Sequence, residues 1–306
     1  MRGVPRVLIA EAVHASLEAL GDGFEVVEVP DLWSHRAELL ARVSDVDALV
    51  VRNMTRVDRQ LLAAASALRV VGRLGSGLDN LDLEAMGERG IELVHGRGLN
   101  CQAVAEYVIG AAITVGRRLL ESDRDVRAGT WFSYSGTELA GGTLGIVGGG
   151  ETGTAVCRLG RALGMTVLCT DPYREPPPGA ERVGLDDLLR RSLVVSLHVP
   201  LTEETRHLIG AREIGIMRRD GILINVARGG VVDEEALAMA LSAGRLGGAA
   251  IDVRPQEPPA SDPLRGLDRV LLTAHLAGHT ERSQRTIAEH VLGGLRSFLK
   301  AQPAQF

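Results

Sequence analysis

Apolar residues in this chain fall into short runs, separated by stretches in which they recur every three or four positions. Short runs bounded by Gly, Pro or charge suit strands buried on both faces, and the three-to-four spacing suits helices that bury one face. Across the first third, RVLIA, FEVVEV, DALVVR, RVVGRL and IELVHG are predicted strands. EAVHASLEAL, HRAELLARV, RQLLAAASAL and DLEAMGERG are predicted helices between them. A second series of strands follows, in GTLGIVG, MTVLCTD, LVVSLHV, GILINV, GGAAID and RVLLTA. Alternating strand and helix implies a parallel sheet covered on its faces, so two such series imply two doubly wound α/β units.

Between the two series lies NCQAVAEYVIGAAITVGRR, a predicted helix from Asn100 to Arg118 with Asn100 as N-cap. It is too apolar for a surface helix, which places it at a domain junction or a subunit interface. ESDRDVRAGTW continues as a polar helix, and REPPPGA is a loop. TERSQRTIAEHVLGGLRSFLK is a final amphipathic helix with Thr280 as its N-cap.

Composition adds exclusions. The 306 residues are 45% hydrophobic and only 3% aromatic, which gives a sizeable core of small aliphatic side chains. The formal net charge is −5, and arginines are interspersed with acids, so the clustered basic face that nucleic acid requires is missing. The apolar run at the start is too short to span a membrane. Cys101, Cys157 and Cys169 make no CxxC and no metal-ligand spacing; with no signal peptide, a cytoplasmic protein is expected.

Four stretches carry candidate chemistry. The first is GIVGGGETG, which sets Gly148, Gly150 and Gly153 in GxGxxG spacing between a strand and a helix. There the glycines permit a tight turn, close approach of a pyrophosphate and close helix–strand packing, with the helix N-terminus facing the negative charge. Asp171, ending the next strand, can accept hydrogen bonds from ribose hydroxyls and would repel a 2′-phosphate, favouring NAD over NADP; alternatively it caps a turn before Pro172. Glu151, an acid beside this cradle, either points to solvent or lowers cofactor affinity.

The other three lie further on, each just after a strand, where open parallel sheets bind ligands. A hydride transfer needs a carbonyl held in place and a proton donor. Arg228, followed by Gly229 and Gly230, can bind a carboxylate with its planar fork, or can be a surface arginine paired with Asp233 or Glu234. Asp252 and Glu257 follow one strand, and His275 follows the next. An acid beside His275 would orient the ring and make it a proton donor near neutral pH; otherwise the histidine is structural. His275 and His279 have the spacing of a zinc-binding helix, but Gly278 intervenes and zinc wants a third ligand. No metal is therefore expected, and His279 is read as a surface or helix-entry residue.

Taken in order, VRNMTRV, LRVVGRLGSGLDNLDLEAMGERGI, NCQAVAEYVIG, GTLGIVGGGETG, SLHVPLTEETRHLIG, INVARGGVVDEEAL, IDVRPQEPP and AHLAGHT closely resemble the D-isomer-specific 2-hydroxyacid dehydrogenases. Phosphoglycerate, hydroxypyruvate and sulfolactate dehydrogenases belong to that family. The resemblance implies a Rossmann NAD-binding domain, residues 99–280, inserted into a flavodoxin-like catalytic domain, residues 1–98 and 281–306. It implies NAD (NADH) as cofactor, a small 2-hydroxy or 2-oxo acid as substrate, with room for an anionic tail, and a homodimer formed through the long helix and its extension. Arg228, Glu257 and His275 would be catalytic: His275 as acid or base, Glu257 supporting it, and Arg228 holding carboxylate and carbonyl. The implied cofactor set is Gly148, Gly150, Glu151, Thr152, Gly153, Asp171, His198, Pro200, Thr205, Ala227, Arg228, Asp252 and His275. The implied substrate set is Arg52, Ser76, Gly77, Arg228 and His275.

The chain departs from the family pattern at Ala274 (usually Pro), Cys101 (usually Ser or Thr), Glu151 (usually basic) and Arg254 (usually aromatic). Two other readings stay open at this point. One is a non-catalytic NAD-binding regulatory module. The other is a phosphite- or formate-type dehydrogenase of the same fold.

Overall fold

The computed structural model describes residues 4–13 and 16–301. The chain divides into two compact units, Met1–Asn100 with His279–Phe306, and Cys101–Gly278.

The first unit alternates β1 (Arg6–Ile9), β2 (Glu25–Glu28), α1 (Arg36–Arg42), β3 (Ala48–Val51), α2 (Arg59–Ala64), β4 (Val70–Arg73), α3 (Leu83–Glu88) and β5 (Glu92–His95). All strand pairs are parallel, in the order β2-β1-β3-β4-β5. That is the flavodoxin-like order. The inner strand β3, ALVV, is buried throughout, whereas the edge strand β2, EVVE, turns its glutamates to solvent. Asp58 and Asp82 cap α2 and α3 by accepting the N–H groups of Leu61 and Ala85. The C-terminal helix, Glu281–Ala301, belongs to this unit. Its Ile287, Val291, Leu292 and Leu295 share a buried cluster with Val7, Ile9, Val50 and Val70. Thr280 and Ser283 cap it reciprocally, side chain to backbone N–H.

One predicted helix is corrected. EAVHASLEAL yields only a 3-10 turn, Leu17–Ala19, capped by Ser16; His14 and Ala15 lie outside the described residues. The physical reason sits at Glu11. Its carboxylate is buried and accepts the N–H groups of Arg52, Met54 and Thr55, so the chain leaving β1 is committed to a loop rather than a solvated helix face.

The second unit begins with α4 (Cys101–Gly116) and α5 (Leu119–Arg127). It continues with β6 (Thr143–Val147), α6 (Glu151–Ala162), β7 (Thr166–Thr170), β8 (Glu181–Arg182), α7 (Leu185–Arg191) and β9 (Val194–Leu197). The last part is α8 (Ala211–Ile216), β10 (Ile222–Asn225), α9 (Glu234–Ser242), β11 (Gly248–Ile251) and β12 (Val270–Leu272), and the C-terminal helix of the first unit is then α10. The seven parallel strands run β12-β11-β10-β9-β6-β7-β8. Chain order reverses between β6 and β9, the switch point at which doubly wound sheets open a crevice.

The apolar helix α4 is explained within its own unit. Ala105, Val108, Ala111, Ala112 and Val115 pack into one core with Ile146 of β6, Val156 of α6 and Ile222 and Ile224 of β10. Arg118, in the left-handed conformation (φ 56°), separates α4 from α5. The two-residue edge strand β8 has no apolar run to announce it. Among the described residues, no helix is long and apolar enough to cross a membrane.

Candidate active site

The second unit presents its candidate residues at the carboxyl ends of its strands. β6 leaves through Gly148, where φ is +102° and a Cβ would stand 2.7 Å from the His198 carbonyl oxygen. Only glycine lets the chain turn there against the exit of β9. A Cβ on Gly153 would overlap the Gly148 carbonyl, so the first turn of α6 also closes directly onto the loop. Gly150 is the N-cap of α6, and the tip of Arg174 lies 3.6 Å from where its Cβ would be. Glu151 follows as the exposed first residue of the helix. Thr152, half-buried, holds its hydroxyl 3.3 Å from Cys101 Sγ.

Asp171 directly follows β7. Its Oδ2 accepts the Gly149 N–H at 2.8 Å, and its Oδ1 accepts the N–H groups of Tyr173 at 2.8 Å and Arg174 at 3.1 Å. The carboxylate thus caps the turn at Pro172 and ties that turn to the glycine loop. After β9, His198 sets Nε2 2.9 Å from Ser196 Oγ, and burial pushes its imidazole down to about 4, so the ring is neutral at physiological pH. The Thr205 hydroxyl donates to the Pro200 carbonyl at 2.6 Å and accepts the Thr202 N–H at 2.7 Å, which closes that loop.

β10 ends at the buried Asn225, whose side chain accepts the Ala227 N–H at 3.1 Å and donates to the Arg228 carbonyl at 3.0 Å. This turn presents Arg228 in extended backbone, with Nη1 donating to the Ala227 carbonyl at 2.6 Å. Asp233, one of the acids that could have paired with Arg228, caps α9 by accepting the Ala236 N–H at 3.0 Å. The glycine after Arg228 has a steric task. A Cβ on Gly229 would overlap the backbone of Arg254 and Pro255, so its absence seats the β10 loop against the β11 loop.

On that β11 loop, Glu257 Oε1 accepts the Arg254 N–H at 3.0 Å, and Oε2 lies 2.7 Å from His275 Nδ1. Burial works against its charge, but the His275 hydrogen bond, the Arg254 N–H and the charges of His275 and Arg228 outweigh it. The carboxyl is held below the usual carboxylate range. His275, just beyond β12, has left-handed backbone (φ 54°) and a side chain 41% exposed. Three side chains predicted from separate motifs are thereby gathered at the ends of the adjacent strands β10, β11 and β12. His279 falls in the other unit, and among the described residues no group of three His, Cys, Asp or Glu side chains could hold a metal ion.

The first unit carries Arg52, Ser76 and Gly77 at the ends of β3 and β4. The Arg52 guanidinium donates to the Ala12 carbonyl at 3.3 Å and the Gln284 amide oxygen at 3.1 Å. Burial lowers its pKa, opposed by the charge of Glu11. Ser76 Oγ stands 2.9 Å from both the Gly96 carbonyl and Asn100 Oδ1, and Gly77 beside it is half-buried.

Residues 109–277 match the family model described as D-isomer specific 2-hydroxyacid dehydrogenase, NAD binding domain. The chain belongs to this family. It is 41% identical to the (S)-sulfolactate dehydrogenase of Chromohalobacter salexigens over 96% of this chain and 98% of that protein. It is 35% identical to the D-3-phosphoglycerate dehydrogenase of Methanocaldococcus jannaschii over 98% of this chain. It spans 58% of the length of that relative. The backbone is similar to that of a glyoxylate reductase from Paecilomyes thermophila, with a TM-score of 0.88, 30% identity, and 98% of this chain and 96% of that one covered.

As a member of the D-isomer-specific 2-hydroxyacid dehydrogenase family the chain takes NAD, and its residues fit that group. The glycine cradle leaves space that a Cβ would fill, it opens a helix N-terminus, and Asp171 stands at the end of the neighbouring strand. Two structural roles escaped the sequence reading. Arg254 is only 7% exposed; it pairs with the equally buried Asp262 at 3.4 Å and donates to the carbonyls of Ile251 and Val253, which shapes the loop bearing Glu257. Asp252, expected in the cofactor set, is 2% exposed and accepts from Thr273, Leu276 and Ala277, on both sides of His275. The signal available for Asp252 was an acid ending a wholly apolar strand. Arg254 offered none, because its partner is set by how the proline-containing loop folds.

Proposed function

We propose that the protein is an NAD-dependent oxidoreductase that interconverts a small 2-hydroxy acid and its 2-oxo acid. The observation that carries this reading is the 2.7 Å contact between His275 Nδ1 and Glu257 beside Arg228. A carboxylate only accepts, so Glu257 fixes the Nδ1–H tautomer and leaves Nε2 as the atom that exchanges a proton. In the reducing direction, protonated His275 gives its Nε2 proton to the forming hydroxyl oxygen, and Glu257 stabilises the imidazolium beforehand. In the oxidising direction neutral Nε2 takes that proton. Arg228 holds the substrate carboxylate and polarises the adjacent carbonyl. When bound, the nicotinamide supplies or accepts the hydride.

Asp171 favours NAD over NADP, because a carboxylate at the end of β7 accepts from ribose hydroxyls and its negative charge repels a 2′-phosphate. In the first unit, Arg52, Ser76 and Gly77 are the assigned substrate contacts. The half-buried guanidinium of Arg52 favours substrates with an anionic tail. Exposed Leu119, Leu120 and Val126 on α5, with Trp131 and Phe132 after it, support a homodimer. Three free cysteines, Cys101, Cys157 and Cys169, support a reducing, cytoplasmic setting.

The test is NADH oxidation with glyoxylate, hydroxypyruvate, phosphohydroxypyruvate, sulfopyruvate and pyruvate, repeated with NADPH. Turnover of at least one 2-oxo acid with NADH preferred is expected. Tight NADH binding with no turnover across the panel would instead indicate a non-catalytic NAD-binding module.

A further inference from the structure

Beyond the three proposed catalytic side chains, a chain of hydrogen bonds runs from helix α4 to the backbone of His275. Asp252, almost wholly buried, receives the Thr273 hydroxyl at 2.6 Å and the Leu276 N–H at 2.8 Å on Oδ1, and the Ala277 N–H at 2.9 Å on Oδ2. Its own carbonyl accepts the His275 N–H at 2.7 Å. One residue therefore fixes the chain before, at and after His275. That hold has a purpose, because the left-handed backbone of His275 is one that side-chain-bearing residues rarely adopt unless their surroundings impose it.

The chain continues outward. Tyr107 of α4 sets its phenol oxygen 2.6 Å from Thr273 Oγ1. Proton counting gives the contact a direction. Asp252 is the acceptor for three donors, so the single Thr273 proton is committed to it, and the Thr273 oxygen has only lone pairs left to offer. Tyr107 must then be the donor, and the chain reads Tyr107 to Thr273 to Asp252. The anchoring end is stiff, because Ala105 and Val108 on either side of Tyr107 are fully buried in the core of the unit. Burial pushes the phenol up to about 12, against the Thr273 hydrogen bond and with the charge of Asp252, which keeps it a protonated donor at any physiological pH.

We propose that Tyr107 is a positioning residue: through Thr273 and Asp252 it holds His275 in the backbone conformation that aims its ring at Glu257. This rests on the reading of His275 as the proton-transfer group. The geometry needs all three members, since without the Tyr107 hydroxyl the Thr273 oxygen loses a half-buried partner, and the Asp252 clasp loses the brace that ties it to α4.

The test uses Tyr107→Phe, which keeps the ring and removes only the donor. Its kcat on the best 2-oxo acid is expected to fall roughly 10- to 100-fold, as for a misaligned reacting group. NADH affinity, read by fluorescence, should stay at the wild-type value, and the pH–rate limb assigned to His275 should move. Tyr107→Phe combined with Thr273→Val should be no slower than Thr273→Val alone, because both break one chain. Independently of catalysis, amide hydrogen exchange at Leu276 and Ala277 should accelerate in Tyr107→Phe. If the wild-type protein turned over no 2-oxo acid, the dehydrogenase reading would fail while the exchange measurement still judged the clasp. Unchanged exchange at Leu276 and Ala277 in Tyr107→Phe overturns the proposal, as does an unaltered kcat and pH profile in an active enzyme.

Discussion

Glu151 stands at the first position of α6, where unpaired backbone N–H groups and the helix dipole favour negative charge. The same dipole is what a pyrophosphate would use, so the acid and the cofactor compete for one field. The exposed side chain weakens that competition without abolishing it. Glu151→Gln is therefore expected to tighten NADH binding about 2- to 5-fold, the range that ~0.3–1 kcal/mol of helix-terminus electrostatics allows. A titration showing unchanged or weaker affinity would mean that Glu151 is directed away from the cradle. Residues of this kind are legible in a sequence because they are the wrong type in a recognisable place. Arg228, Glu257 and His275 were legible for a related reason, since each is a chemically specific group just past an apolar strand. Arg254 was not: an arginine in a loop reads as solvated, and its burial against Asp262 depends on a backbone path that spacing does not encode. Asp171 turned out to make both a turn cap and a glycine-loop tether, because one carboxylate has lone pairs enough for Gly149, Tyr173 and Arg174 together.

Among the elements, the buried strands were the clearest, since β3 is an unbroken apolar run and β9 and β10 depart from one only at the buried Ser196 and Asn225. EAVHASLEAL misled because its helical spacing is real but Glu11 spends its carboxylate on the backbone beyond β3. The apolarity of α4 was legible, though not its destination: the pattern could not say that its small side chains pack on β6, α6 and β10 of its own unit. What α4 does not explain is the next element. α5 leaves Leu119 47%, Leu120 41% and Val126 46% exposed, and Trp131 beyond it is 89% exposed. These exposed apolar side chains, at both ends of one helix and on its trailing segment, are the surface that the proposed homodimer would bury. Sedimentation equilibrium should return twice the chain mass for the wild type, and Trp131→Glu with Leu120→Glu should shift the population toward monomer. A wild-type monomer at micromolar concentration would remove the homodimer from the account.

At the scale of the whole chain, the alternation of strand and helix revealed two doubly wound series, and short right-handed crossovers restrict how such series can be laid out. The observed orders, β2-β1-β3-β4-β5 and β12-β11-β10-β9-β6-β7-β8, are the two doubly wound solutions that switch direction once. Strand order is also why a site dispersed over nearly fifty residues of sequence could be read in advance. β10, β11 and β12 are neighbours in the sheet, so the loops that leave them deliver Arg228, Glu257 and His275 to one place. Less legible was the support beneath, the Asp252 clasp and the Gly229 contact with Arg254 and Pro255, because backbone-to-side-chain bonds and close approaches appear only once the loops have a shape. The central claim is that His275, oriented by Glu257, moves the proton in a reaction on a 2-hydroxy or 2-oxo acid. The most direct measurement compares kcat for wild type and His275→Ala on the best 2-oxo acid, with NADH binding followed in parallel by fluorescence. The account predicts intact NADH binding and a loss of roughly 10²- to 10⁴-fold in kcat, the share that a positioned general acid contributes; full turnover by His275→Ala would contradict it.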